Sequence, residues 1–298
     1  MVDSALSQGR QAAGREYAVQ PLWDRDQIRA MLAPEGAYAA YARAQLEPGL
    51  FELSEWYAAS SPEGQALVVH SRSGLGRALF AMGSPEALDA VLKLHPGPRF
   101  TFGSLRLEHR PVLQRYFLVT RDTIMLRMSV SQETFSAVDG EAVRLEGRQA
   151  GEINRLYSAE GGPTSYSARN IDEGTYYGIR LDGRLVSIAG THVVSPGEGV
   201  AVVGNVFTHP LYRNRGLATI VSCAVTRELL RACSLVALTV EAENAPAVRA
   251  YRRLGYKPEC SLYETPLIRK EPLGIISLAR RLAAGWRGRA DGKEIVVK

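Results

Sequence analysis

The sequence predicts an α/β (α+β) protein in which helices flank a mixed, mostly antiparallel sheet and two similar halves follow each other. Three strand-like runs, residues 176–181, 185–194 and 200–208, are separated only by short glycine-containing turns, a spacing typical of antiparallel hairpins. A long helical pattern follows them after a basic turn. The same alternation of strands and helices recurs in the first half, so the two halves are expected to share one architecture.

The second half is the more regular one, and its predicted order is β-α-α-β-β-β-α-β-α-β-β. Ala150, Ile153 and Leu156 fall on one face of a helix. Pro210 ends the third hairpin strand because proline cannot continue the ladder, and Gly255 is the expected C-cap of a helix. The predicted strands lie at 143–145, 176–181, 185–194, 200–208, 235–240, around 256 and at 262–268, and the predicted helices at 148–157, 164–173, 217–233 and 245–254.

The first half repeats the strand, helix and strand order with weaker punctuation. Ser84 is the expected N-cap of one of its helices. The predicted helices lie at 24–46, 84–94 and 110–116, and the predicted strands at 51–58, 65–70, 77–82, 99–103 and 122–130. With a junction near residues 131–140, we expect an N-terminal domain at 1–135, a second domain at 136–271 and a basic C-terminal helix or tail at 272–298.

Composition and charge exclude several classes of protein. The chain has 298 residues, of which 46% are hydrophobic and 22% charged, as in ordinary globular proteins. Its net charge of +5 favours anionic ligands, but it is too small to indicate a dedicated nucleic-acid binder. The three cysteines form no CxxC pair and the five histidines are scattered, so neither a disulfide framework nor a metal site is expected. No apolar run is long enough to span a bilayer and no apolar signal segment opens the chain, so a cytoplasmic location is expected.

The C-terminal tail combines apolar and basic residues. Ile275, Leu278 and Leu282 lie beside Arg280 and Arg281, as in a basic amphipathic helix. Such a helix either packs on its own domain and frays at its end, or contacts a membrane surface or a nucleic acid.

The segment 213–218, Arg-Asn-Arg-Gly-Leu-Ala, joins the strand 200–208 to the long helix. A helix that begins directly after such a turn directs unpaired backbone N–H groups toward one point, where its dipole adds positive potential. Arg213 and Arg215 add charge, and Gly216 allows the backbone to approach an anion closely. In isolation this could be an ordinary basic turn, but the flanking strand and helix predict a diphosphate site. The segment is neither a Rossmann fingerprint nor a Walker loop, which need further glycines or Gly-Lys-Ser/Thr.

Two motifs in this order resemble the GNAT superfamily of N-acetyltransferases. The first is the Q/R-x-x-G-x-G/A signature, and the second is an asparagine followed about seven residues later by tyrosine and a Leu-Gly-aromatic ending. The resemblance extends over residues 143–267, less than half of the chain. The matching residues are Arg213, Gly216 and Ala218 for the first motif and Asn244, Tyr251 and Leu254-Gly255-Tyr256 for the second.

The resemblance implies an acyl-CoA-dependent N-acyltransferase, most often an N-acetyltransferase, that moves the acyl group from CoA to a primary amine by direct attack. Acetyl-CoA or coenzyme A would be the co-substrate, with no metal. The acceptor would be a small molecule or a peptide, with no nucleic acid and no membrane span, and a homodimer is possible. The alternative is a non-catalytic acyl-CoA sensor or interaction module. The implied CoA-binding residues are Val206, Phe207, Thr208, Arg213, Asn214, Arg215, Gly216, Leu217, Ala218, Thr219, Asn244 and Ala247.

The resemblance also implies the catalytic groups. Tyr251 would protonate the departing thiolate as general acid. Many relatives carry a glutamate base on the strand before the phosphate turn, but that position is Ala201 or a close neighbour here. We assign the base to Glu241, and the alternatives are Glu243, Glu198, His192 or an ordered water. Asn205, on the same strand as Ala201, either orients the substrate or faces the other side of the sheet.

The first half contains no counterpart of the segment 213–218. It therefore resembles the degenerate copy found in tandem GNAT proteins, including those similar to glycine N-acyltransferases. This resemblance implies a structural half that binds no cofactor of its own and contributes a wall of the acceptor site. The segment 158–173 would form another part of that wall.

Overall fold

The computed structural model describes residues 16–73, 76–120, 123–162, 164–288 and 295–297. Within these residues, fourteen strands form one sheet, and helices cover both of its faces. The strands are β1 Tyr17–Pro21, β2 Ser54–Ser61, β3 Gly64–Ser73, β4 Gly76–Gly83, β5 Phe100–Arg106, β6 Phe117–Val119, β7 Ile124–Val130, β8 Val143–Arg144, β9 Tyr177–Leu181, β10 Arg184–Ser195, β11 Val200–Thr208, β12 Leu235–Glu241, β13 Lys257–Arg269 and β14 Ile295–Val297. The α-helices are α1 Arg25–Leu32, α2 Ala40–Ala44, α3 Pro48–Phe51, α4 Pro85–Leu94, α5 Arg110–Tyr116, α6 Ala150–Ser158, α7 Ala168–Asp172, α8 Leu217–Leu229, α9 Ala245–Arg253 and α10 Ile275–Gly288.

The two sides of the sheet have similar arrangements: on each side, consecutive strands of one half lie next to each other and include one parallel pair. The order of the strands is β14-β1-β2-β3-β4-β5-β13-β7-β12-β11-β10-β9-β8, with β6 paired to β13. The pairs β4–β5 and β11–β12 are parallel, and the other pairs of the described strands are antiparallel. The predicted mixed, mostly antiparallel sheet with two similar halves is therefore confirmed.

The two halves exchange strands at the centre of the sheet. β7, the last strand of the first half, pairs with β12 of the second half. β13, which belongs to the second half in sequence, pairs with β5 of the first half and with β7. The division of the chain at residues 135 and 271 stays a prediction, but each half of the sheet is completed by a strand from the other.

Helices from both halves cover the second half of the sheet. On one face, α8 and α9 pack on alternate residues of β10, β11 and β12, with Val203, Val221 and Val248 in one buried cluster. On the opposite face, α6 and α7 cover the first part of β10, with Leu185 and Ile188, and Tyr176 directly before β9. The rest of that face lies under α2 and the preceding 3-10 turn, where Ala40 packs with Val202. The first half therefore reaches over the strands that lead to the predicted diphosphate turn.

Several predicted elements need correction. The helix expected at 24–46 is broken into α1, a 3-10 segment at Ala33–Ala39 and α2. Pro34 lacks a backbone donor and Gly36 has a φ of 53°, so the α-helical ladder cannot continue between them. The strand expected at 51–58 begins only at Ser54, because the short helix α3 precedes it. The helix expected at 217–233 ends at Leu229.

The strand predictions also missed some pairings. The two segments expected around residue 256 and at 262–268 form the single strand β13, which bulges between Pro258 and Cys260. The short strands β1, β6 and β14 were not predicted. Because each has five residues or fewer, none contains enough alternation to stand out from a loop.

The C-terminal helix α10 packs in an unexpected orientation. Its buried side is polar: Ser277 is 2% exposed, and Arg281 donates to the backbone oxygen of Leu94 at the end of α4 at 2.7 Å. Ile275 and Leu282 are each 61% exposed. The helix therefore packs on its own protein, as one of the two interpretations proposed, but through its polar side. Among the described helices, none combines the length and apolar character needed to cross a membrane.

Candidate functional site

The candidate site lies where two parallel strands separate. β11 and β12 pair from Val200 to Val203 on one strand and from Leu235 to Leu238 on the other. Beyond these residues, β11 continues against β10 and β12 continues against β7, but the two strands no longer pair with each other. The backbone groups that face this gap are therefore open to another extended chain. Val206 and Thr208, which the sequence assigned to the pantetheine arm, lie on the open part of β11.

A bulge in β11 bends the strand away from β12. The register between β10 and β11 shifts between Ile188 and Gly190, and Asn205 has a φ of 55° in the left-handed region. Left-handed backbone is costly for residues other than glycine and is least so for asparagine and aspartate. The gap therefore follows from the bulge in β11, and side-chain contacts of Asn205 must offset the cost of its left-handed backbone.

The turn after β11 has the geometry of an anion site. Asn214 and Gly216 have φ values of 63° and 75°, and α8 begins directly after Gly216 without a side-chain cap. The first N–H groups of α8, from Leu217 to Thr219, therefore have no capping side chain. A Cβ placed on Gly216 would meet no heavy atom within 4 Å, so the space at this turn is open. This arrangement suits a phosphate group.

The two arginines of the turn are not equivalent. Arg213 forms an ion pair with Glu160, donates to the backbone oxygen of Thr208 at 3.2 Å and lies over the ring of Phe207. Arg215 lies over the ring of Tyr212, 5.3 Å from its centroid. The backbone N–H groups of the turn are thus open to an anion, whereas the guanidinium of Arg213 is held by Glu160.

Asn244 is the N-cap of α9. Its Oδ1 accepts from the backbone N–H of Ala247 at 3.2 Å, so the cap occupies both the asparagine oxygen and the Ala247 donor. The cap leaves the Nδ2 group of Asn244 as a donor for another partner. The role expected for Asn244 is compatible with this geometry, and for Ala247 only side-chain contact remains.

Tyr251 lies on α9, in the buried cluster between the helices and the sheet. It is 8% exposed, and its ring contacts the edge of Tyr256, with 5.9 Å between the centroids. Burial raises the pKa of Tyr251 to about 12. Within the described part of the chain, its hydroxyl has no hydrogen-bond partner, so it keeps both its proton and its freedom to bond a ligand, as a general acid requires.

The candidates for the general base differ in their distance from the strand gap and in their partners. Glu241 and Glu243 are exposed at the end of β12 and in the following turn, and neither forms an ion pair with a described residue. Glu198 is buried and bound by Arg29, with Nη2 2.7 Å from its Oε1, so it holds α1 of the first half. His192 instead lies next to the strand gap, and a Cβ on Gly204 would clash with its ring.

Asn205 is the centre of a polar network that sequence reasoning did not resolve. Its Oδ1 accepts from Tyr166 at 2.7 Å and lies 3.2 Å from His192 Nε2. Its backbone oxygen accepts from Tyr157 at 2.5 Å. Tyr41, from the first half, lies 2.5 Å from His192 Nδ1 through its hydroxyl. Tyr157 and Tyr166 are 48 and 39 residues away from Asn205 in the sequence, so sequence patterns could not place them together. The one local signal is an asparagine within a strand, because asparagine tolerates left-handed backbone.

The equivalent place in the first half is closed. Between β4 and β5, the buried Tyr38 hydroxyl donates to Ala81 O at 2.5 Å and accepts from Arg106 N at 3.1 Å. At the start of α4, the Ser84 side chain caps the helix. A tyrosine thus occupies the position of a ligand strand, and a serine occupies the position of an anion. This gives a physical reason for expecting no cofactor in the first half.

In the ranges that the structure describes, no cluster of three or more histidine, cysteine, aspartate or glutamate side chains could hold a metal ion.

Known proteins share this domain and this fold. Residues 149–256 match the model of the acetyltransferase (GNAT) family. A putative GNAT-family acetyltransferase from Novosphingobium aromaticivorans is 25% identical over 78% of this chain and 97% of its own, with a TM-score of 0.53. A Drosophila protein is 16% identical over 85% of this chain and 98% of its own, with a TM-score of 0.59.

A third solved structure extends the same likeness. A GCN5-related N-acetyltransferase from Kribbella flavida is 19% identical over 78% of this chain and 95% of its own, with a TM-score of 0.54. The Drosophila and Kribbella structures show the shared fold alone. No curated protein matches the chain.

Proposed function

We propose that this chain, whose residues 149–256 match the model of the acetyltransferase (GNAT) family, transfers an acyl group, most simply acetyl, from coenzyme A to a primary amine. The observation that carries the proposal is the gap between β11 and β12, which begins beyond Val203 and Leu238. The gap leads along β11 to the uncapped start of α8. An extended arm and a diphosphate are the two parts of CoA that such a gap and such a turn can bind.

In the proposed complex, the pantetheine arm pairs with the open edge of β11 near Val206 and Thr208. The diphosphate receives the backbone N–H groups of residues 214–219, supported by the α8 dipole. Asn244 donates its Nδ2 group to the arm. These contacts bring the thioester to the point where β11 and β12 separate, close to Tyr251.

The reaction follows from this placement. The amine nitrogen attacks the thioester carbonyl carbon, a tetrahedral intermediate forms, and the C–S bond breaks as the carbonyl is restored. The departing thiolate takes the proton of the Tyr251 hydroxyl, which the raised pKa of Tyr251 keeps available near neutral pH. No covalent enzyme intermediate is needed, because donor and acceptor meet directly.

Thiol release from acetyl-CoA across a panel of amines tests the proposal, with Tyr251→Phe as the diagnostic variant. We expect turnover with at least one amine by the wild-type protein. The variant should lose about 10²- to 10⁴-fold in kcat, the range typical of a removed acid–base group. Its thermal stabilisation by CoA should be unchanged, since the hydroxyl serves the leaving group.

A CoA sensor without chemistry is the competing function, and the exposed position of Glu241, the carboxylate that the sequence assigned as base, favours it. It predicts stabilisation by CoA, no turnover with any amine and no effect of Tyr251→Phe. Those three results together would replace the transferase proposal by the sensor.

A further inference from the structure

The point where β11 and β12 separate is lined by a tyrosine and a histidine from different halves of the protein. Gly204 is the first residue of β11 beyond its last pair with β12, and the His192 ring lies against it. The hydroxyl of Tyr41, on α2, is 2.5 Å from His192 Nδ1, and the two rings are stacked with 6.1 Å between their centroids. Both residues are half-buried, and the pair borders the gap through the contact of the His192 ring with Gly204.

The amide of Asn205 fixes which His192 nitrogen carries the hydrogen. Asn205 Nδ2 is 3.3 Å from the backbone oxygen of Thr191, which can only accept, and it also donates to the Tyr176 hydroxyl at 3.0 Å. Asn205 Oδ1 therefore faces His192 Nε2 at 3.2 Å. An oxygen acceptor there requires an N–H on Nε2. In the neutral ring Nδ1 is then bare, and the Tyr41 hydroxyl donates to it.

The groups around His192 act in opposite directions on its pKa, and the net effect is a lowered pKa. Burial lowers its pKa, and Arg127 acts in the same direction, while Glu264 and the bond to Asn205 raise it. The ring is thus neutral near pH 7, and its cationic form has a carboxylate nearby. The titratable and charged groups that face this region are Tyr41 from α2, Arg127 from β7, Glu264 from β13, Tyr157 from α6, and Tyr166 and Tyr176 from the segments before α7 and β9.

An ion pair between Arg127 and Glu264 lies next to the Tyr41 ring. Arg127 is fully buried, and its Nη2 lies 3.0 Å from Glu264 Oε1, while its guanidinium carbon is 4.9 Å from the centroid of the Tyr41 ring. Glu264 also accepts from Thr239, the first residue of β12 beyond the paired part. Because β7 pairs with β12, its residue Arg127 packs against the face of the Tyr41 ring.

We propose that Tyr41 and His192 form the proton acceptor of the transferase, so that the first half supplies a catalytic group to the second. This inference rests on the proposed function. The substrate ammonium gives a proton to the Tyr41 oxygen while the Tyr41 hydroxyl proton moves to His192 Nδ1. The two transfers are concerted, so no tyrosinate forms, in keeping with the burial that raises the pKa of Tyr41.

The remaining protons balance without a further reactant. The neutral amine attacks the thioester, and the thiolate takes the Tyr251 proton as the C–S bond breaks. In the same step, the nitrogen gives its second proton through water to Tyr251, so no Tyr251 tyrosinate is left when the amide has formed. After product release, His192 returns its proton to solvent by way of Tyr41. The net reaction turns ammonium and thioester into amide, thiol and one proton.

The test compares Tyr41→Phe with Tyr38→Phe as functions of pH. Tyr38 lies just before α2, and its hydroxyl bonds only within the first half, so its loss reports on structure alone. At neutral pH, we expect Tyr41→Phe to lower kcat/KM for the amine by about 10²-fold, with CoA-induced stabilisation retained. The deficit should shrink as the pH rises through about 10.4, the ordinary pKa of an alkyl ammonium, because a growing fraction of the amine is then already neutral. His192→Gln should behave like Tyr41→Phe, because both remove the same proton acceptor.

Each other outcome has a definite meaning. A Tyr41→Phe deficit that is independent of pH, or equal to that of Tyr38→Phe, overturns the inference while leaving the transferase intact. A wild-type protein that binds CoA but turns over no amine refutes the proposed function, and the inference is refuted with it. Wild-type activity with an unimpaired Tyr41→Phe variant refutes the inference alone.

Discussion

Replacing Gly216 by alanine separates the role of the phosphate turn from ordinary backbone strain. Gly216 has a φ of 75° at the start of α8, and a Cβ there would contact nothing within 4 Å. Left-handed backbone costs about 1–2 kcal/mol for a residue with a Cβ. Gly183, in the hairpin between β9 and β10, has a φ of 72° and equally open surroundings. Gly183→Ala is therefore a matched control for strain in the same half.

We expect both variants to melt a few degrees below the wild type, since about 1 kcal/mol corresponds to about 2–4 °C in a protein of this size class. Only Gly216→Ala should weaken CoA. A backbone shift that costs one charge-assisted hydrogen bond to the diphosphate removes about 1.5–3 kcal/mol, or about 10- to 160-fold in affinity. The KM for acetyl-CoA and the CoA-induced rise in melting temperature measure this independently. Unchanged CoA affinity in Gly216→Ala, with stability lowered as in Gly183→Ala, would refute the assignment of the diphosphate to this turn.

Two further predictions concern charge. Glu160→Gln frees Arg213 from its ion pair, whose side chains are 46% and 41% exposed. CoA should then bind up to about 5-fold more tightly at low salt, because an exposed ion pair contributes at most about 1 kcal/mol. Titration calorimetry at two salt concentrations should show that this gain in affinity falls as salt screens the charges, and no gain at low salt would contradict the role of Arg213. Burial and the neighbouring Arg281 lower the pKa of His95 to about 4, whereas the unfolded value is about 6.5. Because only the unfolded state binds this proton between those values, the free energy of unfolding should fall as pH drops from about 6.5 toward about 4. Urea midpoints should decline less over this window in His95→Asn, and equal declines would speak against His95 as a contributor.

The sequence was most informative where the pairing is local. The hairpins β9–β10 and β10–β11 were predicted because their turns are short and contain glycine, and α8 was predicted because its apolar period follows a recognisable turn. Ser84 caps α4 as expected. In each case the evidence lies within a dozen residues, which is the range over which periodicity and capping act.

The remaining features depend on contacts between distant residues. Nothing in the sequence of β7 distinguishes a strand that pairs with β5 from one that pairs with β12, because register and neighbour are decided by the assembled sheet. For the same reason, Tyr41 could not be assigned to the site: its partner His192 is 151 residues away in the chain. His192 itself was one of several open candidates, and only the network around Asn205 distinguishes it from the exposed Glu241.

The exchange of strands makes the first half part of the structure of the second half, whether or not the first half binds a ligand. Removing the first half would take β7 from between β12 and β13, and with it Arg127, whose guanidinium bonds Glu264 on β13. It would also take α2 from the face formed by Val202 and Ala237, and Tyr41 from His192. In the first half, the side chain of Tyr38 fills the space between β4 and β5. In the second half, β7 from the first half pairs with β12 on one side of the gap. The closed gap between β4 and β5 and the strand β7 that completes the second half are therefore independent features, since they depend on different elements of the first half.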